Sequence, residues 1–339
     1  MKATVIHGPR DIRFEEVPDP TIQQPTDAIV KVHASCICGS DLWPYRGDDA
    51  TESAHTIGHE CLGVVEEVGS AVRDFKPGDF VVVPFDHCDN TCANCRNGAH
   101  SACDNFGITK SGQAEYALVT QADGSLVKTD GVPDADLIPS LLALSDVMAT
   151  GWHAAVAAGV RRGGTAVVVG DGAVGLCAVL AAKRLGASRV VSMSRHADRQ
   201  AVAREFGATD IVEERGAEGI ARIKELFDGI GPDCVLECVG TKESMDQAIK
   251  SVRPGGKVGY VGVPDGGSEL PIRELFRPNI GVNGGVAPVR NYVEELLPEV
   301  LDGRIDPGRV FDLQLPLSEV AEAYAAMDER RAIKVLLRP

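Results

Sequence analysis

The chain has 339 residues, of which 34 are lysine or arginine and 49 are aspartate or glutamate, so its formal net charge is −15 and its pI about 5.0. This surplus of negative charge, with no basic run to offset it, excludes a nucleic-acid-binding role, and no apolar stretch reaches the roughly 20 residues that span a membrane. The length predicts two domains. We see no signal peptide and expect a cytoplasmic protein, whose ten cysteines favour metal sites over disulfides.

The first 145 residues or so are rich in short β-prone runs and turns. A Pro-Gly-Asp turn at residues 77–79 precedes one of these runs. The runs lie at residues 30–32, 63–68, 80–83 and 114–119. They predict an irregular, twisted and β-barrel-like sheet for the N-terminal domain.

Strands and helices alternate from about residue 150. Helical patterns at residues 174–185 and 198–206 each end at a glycine. Apolar runs without alternation, which are typical of strands covered on both faces, lie at residues 166–169, 190–193, 210–212, 234–236 and 257–261. The pattern predicts a parallel, doubly wound Rossmann sheet. Further on, we predict helices at residues 292–301 and 317–327 and a last strand at 333–337.

Residues 170–175 read Gly-Asp-Gly-Ala-Val-Gly and match the GxGxxG pattern. The pattern is weak alone, but here it follows an apolar strand and opens an apolar helix, as in dinucleotide-binding loops. The first glycine permits the tight turn, the second lets the backbone approach the pyrophosphate, and the third lets the helix pack on the sheet. The predicted cofactor contacts in this loop are Gly170, Gly172, Ala173, Val174 and Gly175.

The segment about 20 residues after this loop discriminates between the two nicotinamide cofactors. An NAD site usually has an acid there, whereas this chain has Ser194, Arg195 and then Arg199 one turn on, with no acid at the strand end. A guanidinium and a hydroxyl suit a 2′-phosphate. We therefore predict that NADP(H) is favoured over NAD(H).

Two patterns of metal-binding residues precede this loop. Cys38 and His59 are isolated donors, far apart in sequence, as in a catalytic zinc site that keeps one coordination position open. Four cysteines within 16 residues can instead close a tetrahedral thiolate site that stabilises the fold. These are Cys88, Cys92, Cys95 and Cys103. The sequence thus predicts one catalytic and one structural zinc ion per chain.

In this order and spacing, the motifs resemble the zinc-dependent medium-chain alcohol dehydrogenases along essentially the whole chain. Matching elements are Cys-Gly-Ser-Asp at residues 38–41, Gly-His-Glu at 58–60, the cysteine cluster, the GxGxxG loop and Lys334. The resemblance implies a GroES-like catalytic domain at residues 1–148 and 291–339, and a Rossmann domain at 149–290. It also implies a homotetramer or homodimer, in which residues 279–286 form the edge strand that pairs subunits.

The resemblance also implies the roles of single residues in the catalytic domain. Asp146 occupies the position of the third zinc ligand, where a carboxylate is similar to NADP-dependent secondary alcohol dehydrogenases and some formaldehyde dehydrogenases. Asp41 would orient the histidine, and Glu60 would lie beside the zinc or bind it transiently. Ser40 would pass on the substrate proton, although Trp43 stands where many members have the next histidine of the relay. On the cofactor side the resemblance implies contacts from Thr150, Val174 and Lys334.

The structural site departs from the usual family spacing, C-x2-C-x2-C-x7-C. The last three cysteines fit, but the first position holds Asp89, and Cys88 lies one residue earlier. We favour Cys88 as the fourth ligand, because ligand gaps of two to four residues are common. His87 and Asp89 are the alternatives.

These features predict a zinc-dependent oxidoreductase that transfers hydride between an alcohol, or an aldehyde or ketone, and NADP(H). Its partners would be small alcohol or carbonyl substrates. One alternative within the same class is a polyol or formaldehyde dehydrogenase that uses NAD(H). An alternative of another class is an NADPH-binding sensor or structural protein without turnover, against which the intact set of Cys38, His59, Asp146 and Ser40 argues.

Overall fold

The computed structural model describes residues 1–48, 53–264 and 269–339. The chain forms two compact units. The β-rich unit comprises Met1–Asp146 and Pro288–Pro339, and the α/β unit comprises Val147–Ala287. Among the described residues, no single helix has both the length and the apolarity to cross a membrane, although the bent pair Ile138–Leu144 and Val147–Ala158 meets that test jointly.

The first segment of the β-rich unit consists mainly of short strands. The strands are β1 (Lys2–Gly8), β2 (Asp11–Glu16), β3 (Ala28–Cys36), β4 (His55–Thr56), β5 (Cys61–Val68), β6 (Phe80–Val83), β7 (Asp86–His87), β8 (Gly107–Ile108), β9 (Tyr116–Val119) and β10 (Val127–Lys128). The helices are α1 (Leu42–Arg46), α2 (Ala93–Arg96), α3 (Ala122–Ser125) and α4 (Ile138–Leu144), and single 3₁₀ turns lie at Gly39–Asp41 and His100–Ala102.

The α/β unit alternates helices and strands throughout. Its elements are α5 (Val147–Ala158), β11 (Thr165–Val169), α6 (Ala173–Arg184), β12 (Arg189–Met193), α7 (Ala197–Glu205), β13 (Asp210–Val212), α8 (Gly216–Leu226), β14 (Cys234–Glu237), α9 (Lys242–Ser251), β15 (Lys257–Tyr260), α10 (Ile272–Phe276) and β16 (Gly281–Gly284). The chain then returns to the β-rich unit with α11 (Val289–Leu301), a 3₁₀ turn (Pro307–Val310), β17 (Phe311–Pro316), a second 3₁₀ turn (Leu317–Glu319), α12 (Val320–Asp328) and β18 (Lys334–Arg338).

The main sheet of the β-rich unit has seven strands in the order β10-β6-β5-β3-β18-β17, with β9 also on β3. A three-stranded sheet, β2-β1-β4, and the hairpin β7-β8 complete it. One face of the main sheet packs a buried apolar cluster that includes Val30, Val65, Val81 and Leu126. The predicted irregular β-barrel-like domain is therefore confirmed, and it includes the C-terminal strands because β18 pairs with β3.

The α/β unit contains a six-stranded parallel sheet in the order β13-β12-β11-β14-β15-β16. This is the doubly wound Rossmann order, in which the chain reverses direction between β11 and β14. All four residues of β14 are buried, as expected for strands covered on both faces. The predicted helices at residues 174–185 and 198–206 are confirmed as α6 and α7, each followed by a glycine with positive φ, Gly186 (93°) and Gly207 (103°).

Candidate active site

The ends of two paired strands bring together donors that are isolated in the sequence. β3 pairs antiparallel with β5. Cys38 follows the end of β3 and His59 precedes the start of β5, so both lie at the same end of this strand pair. Asp146, which follows α4, and Glu60 complete the group, and one donor atom of each of the four residues lies within 4.8 Å of the others.

The geometry within this group orients the histidine ring. The Cys38 thiol donates to Asp146 Oδ2 at 3.3 Å, and His59 Nε2 lies 3.6 Å from the same oxygen. On the other side of the ring, His59 Nδ1 lies 3.3 Å from Asp41 Oδ1, and Asp41 Oδ2 accepts from the Cys38 backbone amide at 3.0 Å. Because Nδ1 faces a carboxylate, it carries the proton. The lone pair of Nε2, on the side of Cys38 and Asp146, is then available to bind a metal ion.

The charges of this group fit a divalent cation. Burial and the Asp146 carboxylate raise the pKa of Cys38 to about 11. Burial alone would lower the pKa of His59, but the carboxylates of Asp41 and Asp146 raise it well above its ordinary value. A buried thiolate beside a carboxylate is therefore unfavourable without a cation, and one thiolate, one imidazole and one carboxylate are a donor set that zinc prefers.

Glu60 is held by partners of its own at the edge of this group. Lys334 Nζ donates to Glu60 Oε1 at 2.7 Å and to the Ile37 carbonyl at 3.0 Å, and the Cys36 thiol donates to Glu60 Oε2 at 3.2 Å. Both Glu60 and Lys334 are only 1% exposed. Burial raises the pKa of Glu60, and the Lys334 ammonium opposes this rise.

Lys334 makes contacts that the resemblance did not imply. Its ammonium is buried in the β-rich unit and engaged by Glu60 and the Ile37 carbonyl, and the implied cofactor contact stays a prediction. The physical reason is that β18 lies beside β3 in the main sheet, which places the Lys334 side chain under the segment that contains Cys38. A buried ammonium needs a nearby carboxylate, and Glu60 supplies it.

A second group of donor atoms forms in the cysteine-rich loop. The ligand atoms of four residues lie within 4.8 Å of one another: Asp89, Cys92, Cys95 and Cys103. Backbone amides point at the sulfur atoms: that of Asp89 donates to Cys103 Sγ at 3.3 Å, and that of Cys95 to Cys92 Sγ at 3.4 Å. Hydrogen bonds of this kind stabilise the thiolate form, which is the form that binds a metal ion.

The structure favours Asp89 over Cys88 in this second group, against our preference from the sequence. Burial alone would raise the pKa of Asp89, but hydrogen bonds from the Thr91 and Cys92 amides and the Asn105 side chain hold it below its usual range, so the group is a carboxylate. The Cys88 thiol instead donates to the Gly124 carbonyl at 3.3 Å. Cys88 also packs against Cys95 and Cys103, but Asp89 completes the group of ligand atoms that lie within 4.8 Å of one another.

The glycine-rich loop lies at the point where the strand order of the parallel sheet reverses, between β11 and β14. It connects β11 to α6, with Gly172 at the N-cap of the helix. Gly170 has φ of 117°, and a Cβ on Gly175 would lie 2.1 Å from the Gly170 carbonyl oxygen, so both positions require glycine. A Cβ on Gly172 would meet no atom within 4 Å, which leaves open space above the helix N-terminus. The loop therefore fits a dinucleotide pyrophosphate.

The residues predicted to recognise the 2′-phosphate lie after β12, and two of them contact Asp171. Ser194 is fully buried and its hydroxyl donates to Asp171 Oδ2 at 2.8 Å. Arg199 is also buried and its Nη1 donates to the Asp171 carbonyl at 3.1 Å, whereas Arg195 is exposed. No acid follows β12 in the sequence, as predicted, but the Asp171 side chain reaches the end of β12 from the glycine-rich loop that follows the neighbouring strand β11. Thr150, in α5, and Val174, in the first turn of α6, are both partly exposed.

Two family models and several known proteins match this chain. Residues 24–133 match the model of the alcohol dehydrogenase GroES-like domain, and residues 173–302 match that of the zinc-binding dehydrogenases. A probable zinc-binding alcohol dehydrogenase of Mycobacterium tuberculosis is 34% identical over 348 residues, which cover all of this chain and 89% of that protein. The chain belongs to the zinc-dependent medium-chain alcohol dehydrogenase family.

Other relatives of this alcohol dehydrogenase differ in the activity that their names give. Formaldehyde dismutase of Pseudomonas putida is 30% identical, with 100% of this chain and 97% of that protein covered. Sorbitol dehydrogenase of Bacillus subtilis is also 30% identical, with 100% of this chain and 97% of that protein covered. Among solved structures, the alcohol dehydrogenase TADH from Thermus sp. ATN1 superposes with a TM-score of 0.91 at 33% identity and covers 100% of this chain and 99% of that one.

Sequence reasoning missed several polar residues around the catalytic group of this dehydrogenase. Gln113 Nε2 donates to Asp41 Oδ2 and to the Cys36 carbonyl, both at 3.2 Å, and its Oε1 accepts from the Tyr324 hydroxyl at 3.1 Å. The Phe85 ring meets the His59 ring edge-on, with centroids 6.1 Å apart. No motif marks Gln113 or Tyr324, because their roles arise only where distant segments meet.

We expect the second zinc ion of this dehydrogenase to depend on Asp89 and not on Cys88. Asp89→Ala should lower the zinc content from about two ions per chain to about one and lower the melting temperature, because a structural zinc ion stabilises the loop around it. Cys88→Ser should keep both ions. Asp89→Cys, which restores the usual family spacing, should keep both as well. Metal analysis after dialysis measures the zinc content of each variant. Loss of zinc from Cys88→Ser but not from Asp89→Ala would contradict the assignment.

Proposed function

We propose that this zinc-dependent alcohol dehydrogenase uses NADP(H) in preference to NAD(H) and interconverts alcohols with aldehydes or ketones. The convergence of Cys38, His59 and Asp146 supports the metal-dependent chemistry. The position of Ser194, Arg195 and Arg199 after β12 supports the cofactor preference, since guanidinium groups there pair with a 2′-phosphate. That placement is the observation on which the cofactor preference rests.

When bound, the zinc ion polarises the substrate oxygen and the nicotinamide carries the hydride. The residues of the chain do the rest. Cys38, His59 and Asp146 hold the ion, Asp41 keeps the His59 ring in the orientation that presents Nε2, and Lys334 keeps Glu60 charged and in place. The Ser40 hydroxyl, in the 3₁₀ turn between Cys38 and Asp41, is proposed to accept the substrate proton. Trp43 cannot continue this relay, because its indole only donates hydrogen bonds.

The substrate is proposed to be a small alcohol or carbonyl compound with an apolar body. The Phe85 ring packs against His59 and supplies an apolar surface beside the metal group. Trp43 is partly exposed on α1, the helix that follows Ser40 directly. Aromatic side chains at these positions stabilise apolar groups and offer little to a substrate with many hydroxyls.

A second candidate within the same class is a polyol or formaldehyde dehydrogenase that uses NAD(H). The similarity to the sorbitol dehydrogenase and to the formaldehyde dismutase favours keeping it. Asp171, which places a carboxylate beside Ser194, also favours NAD(H), because a carboxylate accepts from a ribose hydroxyl. A catalytically silent NADPH-binding protein is disfavoured by the complete ligand set of Cys38, His59 and Asp146.

The test is a panel of simple alcohols, polyols, aldehydes and ketones with NADPH and with NADH, followed at the absorbance of the reduced nicotinamide. We expect turnover of apolar alcohols or ketones and a higher kcat/KM with NADPH, by at least about tenfold, as one charge-assisted contact to the 2′-phosphate would give. A preference for NADH, or turnover only of polyols, would replace the proposal by the second candidate. Cofactor binding without any turnover would favour the silent protein.

We also propose that the protein is a homodimer or homotetramer that pairs through β16. Among the described strands of its sheet, β16 is one of the two edge strands and pairs with β15 alone. Apolar side chains near it are exposed, with Phe276 at 83% and Val286 at 50%. An unprotected strand edge beside exposed apolar groups is stabilised by pairing with a second copy. Light scattering of the purified protein tests this, and a monomer would contradict it.

A further inference from the structure

Asp171 occupies an unusual place in the glycine-rich loop. It lies between Gly170 and Gly172, after β11 ends, and its side chain is only 18% exposed. Its Oδ2 accepts the Ser194 hydroxyl at 2.8 Å, and its Oδ1 lies 3.6 Å from Arg199 Nη1. Because β11 and β12 are adjacent and parallel, with Val169 opposite Met193, the two strands end at the same edge of the sheet. The loop of one strand thus delivers a carboxylate to the end of the other.

Cationic groups surround this carboxylate. Arg199 donates to the Asp171 carbonyl at 3.1 Å and is itself buried. Arg215, at the N-cap of α8, donates to the carbonyls of Met193 and Glu214 at 3.2 and 3.1 Å, which fixes its guanidinium at the end of β12. Arg195 is exposed at the same strand end. Three guanidinium groups and the Asp171 carboxylate therefore gather at this strand end. The Glu213 carboxylate is also near, since Gln200 Nε2 donates both to it at 2.9 Å and to the Ser194 carbonyl at 3.0 Å.

In Rossmann folds the adenosine ribose binds at the end of the second strand of the parallel sheet, which is β12 here. A carboxylate at that place accepts from the 2′-hydroxyl of NAD. A 2′-phosphate at this place is instead attracted by guanidinium groups and repelled by a carboxylate. Ser194 illustrates the competition, since its single hydroxyl proton goes to Asp171 in this structure and cannot also go to a phosphate oxygen.

We propose that Asp171 is a specificity-determining residue, which replaces the missing strand-end acid and limits how strongly the site prefers NADP(H) over NAD(H). This inference concerns the same site as the proposed cofactor preference and rests on it only for the location of the ribose. Asp171 accepts the 2′-hydroxyl of NAD(H), and it holds back Ser194 and weakens the pull of Arg199 when a 2′-phosphate binds. The three arginines attract the 2′-phosphate, and the negative charge of Asp171 reduces that attraction.

Asp171→Asn in the full-length, zinc-loaded protein tests this by calorimetric titration with NADP⁺ and NAD⁺, and with the fragments adenosine 2′,5′-bisphosphate and 5′-AMP. Loss of one unit of negative charge close to the phosphate should tighten NADP⁺ and the bisphosphate about tenfold, and NAD⁺ should weaken severalfold. The gain should shrink as salt is added. The fragments report on the adenosine half alone, so the readout does not depend on turnover.

Asp228→Asn is the matched control. Asp228 is exposed and follows α8, at the edge of the sheet where the strands begin, and an asparagine tolerates its φ of 53°. This variant removes the same charge, and its cofactor affinities should not change. Asp171→Ser, which keeps a short polar side chain, repeats the test if Asp171→Asn folds poorly, and it should shift the ratio in the same direction.

The outcomes separate this inference from the proposed cofactor preference. If Asp171→Asn leaves the ratio of the two affinities within about twofold of the wild-type ratio, or weakens both cofactors equally, Asp171 is only structural and the inference is wrong. The wild-type ratio alone decides the cofactor preference. A wild-type protein that prefers NAD(H), with a variant that shifts toward NADP(H), would overturn the proposed preference and support the inference.

Discussion

Asp146→Ala should lower kcat/KM by roughly a thousandfold and remove one zinc ion per chain, because the polarisation by the metal ion contributes several kcal/mol to transition-state stabilisation. The Asp146 carboxylate lies 3.3 Å from Cys38 Sγ and 3.6 Å from His59 Nε2. Among the described residues, Glu60 supplies the one other carboxylate in this group of ligand atoms. Glu60 is engaged by Lys334 and does not replace it.

Two variants make this first prediction specific. Asp146→Cys supplies a thiolate, a donor that zinc accepts equally well, and should retain the ion and much of the activity. Asp136→Ala removes an exposed carboxylate shortly before α4 and should change neither zinc content nor kcat/KM. Metal analysis and steady-state kinetics check both. An Asp146→Ala protein with two zinc ions and ordinary turnover would overturn the assignment of the catalytic site.

Lys334→Met should destabilise the β-rich unit by about 3–5 kcal/mol, since it leaves the Glu60 carboxylate buried without its cation. Glu60 and Lys334 are each 1% exposed and their charged atoms lie 2.7 Å apart. Adding Glu60→Gln to this variant should recover part of the loss, because the uncompensated charge is then removed. Urea denaturation, followed by far-UV circular dichroism of the whole chain, measures the change.

The chain offers a matched control for this second prediction. Lys242 and Asp246 form an ion pair of similar length, 2.8 Å, on the surface of α9, where the Lys242 side chain is 66% exposed. Lys242→Met should leave the denaturation midpoint nearly unchanged, because exposed ion pairs contribute little. Equal shifts for the two substitutions would contradict the view that burial makes the Lys334 pair important. Zinc content, measured in parallel, separates lost stability from lost metal.

The regular elements were predictable where the apolar pattern was unambiguous. Strand β6 was predicted with its observed bounds, and β11 and α6 within one residue, because uninterrupted apolar runs and terminal glycines mark them. Helices α5, α8 and α9 were not predicted. Helix α5 is buried on most sides, so its sequence lacks the polar face that makes helical periodicity visible.

Three assignments depended on side-chain directions that no spacing rule supplies. Asp89 rather than Cys88 completes the group of four ligand atoms, Lys334 contacts Glu60, and Asp171 reaches Ser194 from the loop after the neighbouring strand. Each of these three assignments depends on the direction in which a side chain points, or on contact between segments far apart in the chain. A one-residue offset in an extended segment reverses the face, and a sequence motif does not record it.

The sequence by itself determined the family, the two-domain α/β architecture and the residue types that can bind zinc and a dinucleotide, because these follow from short-range spacing and apolar patterning. Only the tertiary structure decided which of these residues share a site. The ligands Cys38, His59 and Asp146 meet because β3 pairs with β5 and α4 ends beside them, and Asp171 meets Ser194 because β11 lies beside β12. Strand pairing and helix packing, and not local sequence, set these distances.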